Sequence, residues 1–264
     1  LRRADWVQTS TRPAAREIAG RIPAPVEVLQ VYRGLAPVPA MREEPAAWSG
    51  RLVTVGRLVE KKGHLRLLGI LAALPSLGVR GTTLKIIGEG PRRPVLEREI
   101  RRLGLGNRVS LEGERPHAEV QEALRRADCF VFAGEVARSG DRDGFPNVVG
   151  EAMALGVPVI AAAAPGVAEG IRHRKTGWLL PGHDPADWAD ALRELAGDHP
   201  LRRRVTRNAR AWVESFFDTI GNIRALAERV RASSREEFAP APTPARKASP
   251  RSIIVARTDR LGDT

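Results

Sequence analysis

A doubly wound α/β domain on a parallel sheet is the fold class this 264-residue sequence predicts. Three observations predict it. From residue 51 onward, short apolar runs alternate regularly with longer segments of helical periodicity. The apolar runs read as strands covered on both faces, as a parallel sheet requires. Hydrophobic residues make up 42% of the chain, enough to bury a core at this length. Right-handed crossovers then give a Rossmann-like arrangement whose ligands sit at the C-terminal ends of the strands.

The elements follow in order. Over residues 1–45, "ADWVQTS" and "VEVLQVY" read as strands joined by the helix "RPAAREIAGRI", and a Pro-rich linker closes the segment. It is too short to be a domain and is expected to be the remnant of one. Residues 46–218 carry the alternation: "RLVTVG" then "HLRLLGILAAL", "LKIIG" then "RRPVLEREIRRLGL", "RVSLEG" then "HAEVQEALRRA". "CFVFA" leads through a long loop to the helix "VVGEAMAL", "VPVIAA" to the expected helix "GVAEGIR", and "TGWLL" to "PADWADALRELA". Leu201 to Phe216 reads as one more helix, and residues 219–232 as another. The Pro/Ala stretch 233–250 is expected to be a disordered linker, and 251–264 to start the first strand of a truncated further domain.

Formal net charge is +12, and lysines number only five, so the basic charge is nearly all arginine. Solvated helix faces, an anionic membrane surface and a phosphorylated ligand all fit that balance. Nucleic acid fits poorly, because aromatic residues are 5% of the chain and do not interleave with the basic ones. No apolar run is long enough to span a membrane. The single Cys129 lies in an apolar strand and reads as a core thiol. The five histidines show no metal-ligand spacing and are assigned surface or turn roles.

Two places carry candidate chemistry. The loop after "RLVTVG" holds Arg57, Lys61, Lys62 and Gly63; a guanidinium fork and an ammonium together suit a diphosphate, and Gly56 lets the backbone approach it. The same charges would also fit a solvent-facing turn. The stretch "GDRDGFPNVVGEAMALGVPVIA" sets two acids, Asp143 and Glu151, eight positions apart. Asn147 reads as an N-cap, Val148 to Leu155 as a helix that Gly156 stops, and Val157 to Ala161 as a buried strand. Both acids then face whatever binds at that helix N-terminus. Carboxylates repel phosphate, so they need another partner, and the paired hydroxyls of a sugar supply one. A helix-stabilising Glu and an ordinary turn Asp are the plain alternative.

The motifs "VGRLVEKKG", "IIGEGPRR", "VSLEG", "RADCFVFA", "DGFPNVVGEAMALGVPVIA", "PGVAE" and "TGWLLP" occur in an order and spacing that resembles the C-terminal half of glycosyltransferase family 4, over roughly residues 1–230. These are retaining enzymes of the GT-B fold that use nucleotide-sugars. The resemblance implies that Arg57 and Lys62 clamp the donor diphosphate. Glu151 would bind the ribose hydroxyls, and Asp143 would sit by the donor sugar and the reacting centre. It implies that Gly144, Phe145, Asn147 and Val148 wrap the sugar and phosphates, that Gly88, Glu89 and Gly90 line the cleft, and that Gly166 and Glu169 form a further turn. The catalytic residues implied are Asp143, Arg57 and Lys62. No cofactor is implied and no metal, so the short pattern Asp141-Arg142-Asp143 is read as a chance match. The partners implied are a nucleotide-diphosphate sugar and a glycan or lipid-linked acceptor. The expected location is cytoplasmic, with peripheral membrane association one reading of the charge. Departures are Asp143 where the family has Glu, Ala133-Gly134 where it has Pro-Ser, and Pro165 in place of a Gly.

The function expected is sugar transfer in glycan or surface-polysaccharide biosynthesis, with these residues alone expected to be inactive. A non-catalytic nucleotide-sugar-binding module and a GT-B-fold sugar-nucleotide epimerase are the competing readings. Finally, "IIVARTDRLGDT" resembles the opening strand of glycosyltransferase family 9, which implies a catalytic-base role for Asp263.

Overall fold

The structure is a computed structural model that describes residues 6–21, 27–32, 34–35, 37–43, 47–237 and 254–255. Asp263 and residues 238–250 of the expected linker lie outside these.

Strand β1 (Trp6–Thr9), helix α1 (Arg12–Ala19) and strand β2 (Glu27–Gln30) come first. Thr11 caps α1 by accepting from the Ala14 N–H at 3.3 Å, and Pro13 occupies the first turn, where its missing N–H costs nothing. The alternating region then gives β3 (Arg51–Val55), α2 (His64–Ala73), β4 (Thr83–Ile87), α3 (Arg93–Arg102), β5 (Val109–Leu111) and α4 (His117–Arg126). It continues with β6 (Cys129–Phe132), α5 (Asn147–Ala154), β7 (Val159–Ala162), β8 (Trp178–Leu180), α6 (Pro185–Gly197), α7 (His199–Phe216) and α8 (Thr219–Glu237). A two-residue strand, β9 (Ile254–Val255), closes the order.

Strands β3 to β8 form one parallel sheet in the order β5-β4-β3-β6-β7-β8. Every residue of β6 and β7 is buried, which their apolar sequences "CFVF" and "VIAA" require once helices cover both faces. Successive residues point to opposite faces, so Leu52, Ile86 and Val131 join one core while Val53, Ile87 and Phe130 join the other. Helices contribute at i, i+4 spacing: Leu96 and Ile100 from α3, Val120 and Leu124 from α4. Two fully buried indoles of this domain find acceptors, Trp178 donating to Glu194 at 2.6 Å and Trp188 to the Gly182 carbonyl at 3.0 Å.

Strands β1, β2 and β9 make a small parallel sheet in the order β2-β1-β9. Ile254–Val255, expected to open a separate domain, therefore lies beside β1. Helix α8 runs through Glu237, so residues 233–237 are helical rather than linker. The stretch "GVAEGIR" is also not a helix: only a single 3-10 turn, Val167–Glu169, forms between Gly166 and Gly170. Glycines at both ends disfavour a longer helix. Among the described residues, no helix is long and apolar enough to cross a membrane.

Candidate functional site

The chain moves outward from β3 to β4 and β5, then returns to place β6 on the other side of β3. The loops after β3 and β6 therefore diverge to opposite faces and leave a crevice between the central strands. In open α/β sheets this switch point is where ligands bind.

Three turns are tied together at that end of the sheet. Gly56 N–H donates to the Ile87 carbonyl at 2.9 Å, Leu58 N–H to that of Glu89 at 2.9 Å, and Gly88 N–H to that of Gly113 at 2.8 Å. A Cβ on Gly88 would lie 2.1 Å from the Gly56 carbonyl oxygen, so this glycine is required by the approach of two backbones. Gly63, at φ +67°, has the same role across the crevice, where its Cβ would lie 1.7 Å from the Ala133 carbonyl oxygen. It brings the N-terminus of α2 against the end of β6. The Glu89 carboxylate, expected at the cleft, is paired with Arg93 at 2.6 Å.

The charges expected from the two motifs meet here. Lys62 Nζ lies 2.7 Å from Asp143 Oδ2 and 5.7 Å from the centre of the Phe132 ring. Lys61 Nζ lies 3.0 Å from Asp141 Oδ1 and 3.5 Å from Asp143 Oδ1. The side chains of Lys61, Lys62 and Asp143 are only 13–16% exposed, so these ions sit in a wall rather than on open surface. Lys61, named with Arg57 and Lys62 in the sequence, belongs to the cluster, and so does Asp141, which the sequence offered only as part of a chance match. Arg57 is exposed at the same turn, and no carboxylate pairs with it among the described residues.

Glu151 lies one turn into α5, with its side chain 15% exposed, and Oε2 is 3.5 Å from Nε2 of the exposed His117 at the start of α4. It faces the neighbouring helix N-terminus at the same end of the sheet. Asn147 is not the N-cap. Pro146 holds that position, no side chain caps α5, and Asn147 is an exposed first-turn residue beside the half-buried Val148. Proline at 146 favours the extended backbone of a cap, which moves the helix start forward by one residue.

Phe145 departs from expectation. Its ring is buried among Trp212 and Phe217 at centroid distances of 5.1 and 5.2 Å, so the side chain anchors the loop from within. Gly144 packs against Gly166, whose Cβ would lie 2.6 Å from the Gly144 carbonyl carbon. Glu169 is likewise engaged, accepting from the Arg12 N–H at 2.7 Å and from the Tyr32 hydroxyl. Burial pushes both Glu169 and Tyr32 above their ordinary pKa values.

His64 corrects the surface role given to the histidines. It is buried against the Gly56–Arg57 backbone, and neither ring nitrogen completes a hydrogen bond of good geometry among the described residues. Burial lowers its pKa to about 4, so the ring is neutral at pH 7. His183 also reaches the site, with Nε2 at 3.0 Å from the Ala133 carbonyl oxygen. Both lie beside glycine turns, which the spacing of histidines alone does not reveal.

The switch-point crevice thus carries lysines on one lip and a capless helix N-terminus plus carboxylates on the other, the place in an α/β domain where ligands bind. The family described as "Glycosyl transferases group 1" matches residues 48–212. The chain belongs to that family. It is 35% identical over 181 residues to the amylovoran biosynthesis glycosyltransferase AmsK of Erwinia amylovora, covering 67% of this chain and 44% of AmsK. It is 32% identical over 182 residues to the putative colanic acid biosynthesis glycosyltransferase WcaL of Escherichia coli, covering 69% of this chain and 45% of WcaL. Thus the chain spans less than half the length of these relatives. Among solved structures, Anabaena HepE in complex with UDP and glucose superposes at a TM-score of 0.73 and 23% identity, over 87% of this chain and 63% of HepE. That likeness shows the shared GT-B fold.

Proposed function

We propose that these residues form the donor-binding part of a retaining, metal-independent glycosyltransferase. It moves a sugar from a nucleoside diphosphate to a glycan or lipid-linked acceptor in polysaccharide biosynthesis. Arg57 and Lys62, joined by Lys61, hold the diphosphate. Glu151 accepts from the ribose hydroxyls, and Asp143 accepts from the sugar. The N–H groups of the first turn of α5 add a partial positive charge at the same place. The difficult step is departure of the nucleoside diphosphate, whose developing charge these fixed cations stabilise. Retention rests on the family resemblance, and polysaccharide biosynthesis on the names of AmsK and WcaL. A UDP-type donor is favoured by the UDP-glucose complex of HepE.

The observation that carries this reading is the convergence of Lys62 and Asp143, from two distant motifs, to 2.7 Å at the switch point. Calorimetry on the full-length protein with UDP, GDP and their sugars tests it. A nucleoside diphosphate is expected to bind, and Lys62→Ala to weaken binding by about tenfold or more, the worth of one charge-assisted hydrogen bond. Unchanged affinity in that variant would remove Lys62 from the site.

A further inference from the structure

We infer that Arg142 is a positioning residue: by gripping Glu17 across the cleft, it sets where Asp143 stands. The inference rests on the reading of Asp143 as the sugar-side carboxylate. Asp141, Arg142 and Asp143 follow one another in a segment without regular structure, and their side chains engage alternate sides. The two acids turn to Lys61 and Lys62, while Arg142 turns away and pairs with Glu17 of α1, far off in sequence. Glu17 is itself held by Arg21 at 3.0 Å, just past the C-terminal end of that helix. Under this bridge lies a hollow of about 170 Å³, with Thr11, Pro13 and Ala14 on one wall and Asp143, Gly144 and Gly166 on the other. A second tie runs parallel to it, the Arg12 N–H and the Tyr32 hydroxyl both donating to Glu169.

The Glu17 and Arg142 side chains are 25% and 33% exposed, so the pair contributes little stability. What it contributes is geometry. The loop carrying Asp143 has no helix or strand of its own between Ala133 and Pro146. Backbone hydrogen bonds hold its first part, Glu135 N–H to the Lys61 carbonyl at 3.0 Å and Ala137 N–H to the Asp141 carbonyl at 2.8 Å, and the buried Phe145 ring holds its end; between them, Arg142 is the side chain directed toward the α1 wall. Releasing it lets Asp143 follow the lysines while the wall with Ala14 moves independently. A reacting centre formed between two walls is sensitive to displacements of the order of 1 Å.

The test uses the full-length protein as Glu17→Gln, Arg142→Gln, the double variant and Arg142→Lys. Donor affinity is measured with UDP-glucose and GDP-mannose, and turnover at saturating donor. Because no diphosphate contact is altered, donor affinity is expected to stay within about twofold, while each Gln variant lowers turnover by about tenfold. The double variant is expected to be no slower than the slower single, and Arg142→Lys to recover most of the rate. Donor affinity falling in step with turnover, losses that multiply in the double variant, or unchanged turnover in both singles would each overturn the proposal. A second readout needs no donor. Spin labels at Ala19→Cys and Arg138→Cys, with Cys129 buried and unreactive, report the cleft width. Removing either partner is expected to broaden the distance distribution, and an unchanged distribution counts against the latch. If neither sugar nucleotide binds the parent protein, the proposed function fails, and the spin-label distances still decide whether Glu17 and Arg142 hold the cleft.

Discussion

Replacing Asp143 by Asn is expected to tighten nucleoside diphosphate binding while slowing transfer. The Asp143 carboxylate neutralises Lys62 at 2.7 Å and Lys61 at 3.5 Å, the groups assigned to the diphosphate. An incoming diphosphate must displace that carboxylate or accept its repulsion. Partly shielded ion pairs of this kind are worth about 1 kcal/mol or somewhat more, and for Lys61 some of this is shared with Asp141, which remains. A net relief of about 1 kcal/mol follows, or roughly fivefold tighter UDP binding. Turnover should fall by about 10²-fold or more, because the sugar loses its charged acceptor in the transition state. The free protein should also lose about 1–2 kcal/mol of stability, since two poorly exposed ammoniums lose a counter-ion. Calorimetry with UDP, a rate assay with the sugar nucleotide and thermal unfolding separate the three effects. Weaker UDP binding in Asp143→Asn, in proportion to the loss of rate, would refute the reasoning.

Glu151→Gln should weaken UDP by about tenfold and leave inorganic pyrophosphate unaffected, because its carboxylate is assigned to ribose hydroxyls; equal losses for both ligands would contradict that role. The His64 pKa is about 4 in the fold against 6.5 unfolded, so the unfolded state binds more protons between those values. Stability should fall by about 3 kcal/mol as pH drops from 6.5 to 4 and level off below, and His64→Gln should flatten that slope in thermal unfolding. Gly63→Ala should destabilise by more than about 3 kcal/mol, since its Cβ meets a backbone oxygen at 1.7 Å. Gly69→Ala, exposed on α2 with nothing within 4 Å, should gain about 0.5–1 kcal/mol.

Much of the fold was legible because the strands of a doubly wound sheet are short and wholly apolar. "CFVF" and "VPVIAA" became β6 and β7, buried throughout. The misreadings share one cause. "GVAEGIR" has helical spacing but glycines at both ends, and Asn147 has a capping side chain but follows a proline that takes the cap. In each case backbone preference overrode pattern. Of the candidate site, Arg57, Lys62, Asp143 and Glu151 were singled out in the sequence by the chemistry of diphosphates and sugars together with the family resemblance, and the structure brings Lys62 and Asp143 into contact. The buried position of His64, the pairing of Lys61 with Asp141 and the inward turn of Phe145 were not readable in the sequence, because burial and pairing depend on which loops meet.

The sequence by itself determined the strand–helix alternation, hence the doubly wound class, and the placing of cations after one strand and acids after another. Periodicity and charge are local properties, so they survive being read in one dimension. Only the tertiary structure decided that β6 returns to lie beside β3, which brings Lys62 to Asp143, and that the β1–α1–β2 segment meets the loops after β6 and β7, which brings Arg142 to Glu17 and Tyr32 to Glu169. These contacts link residues 81 to 137 positions apart in the chain, where no local preference acts; chain crossing and close packing of turns fix them.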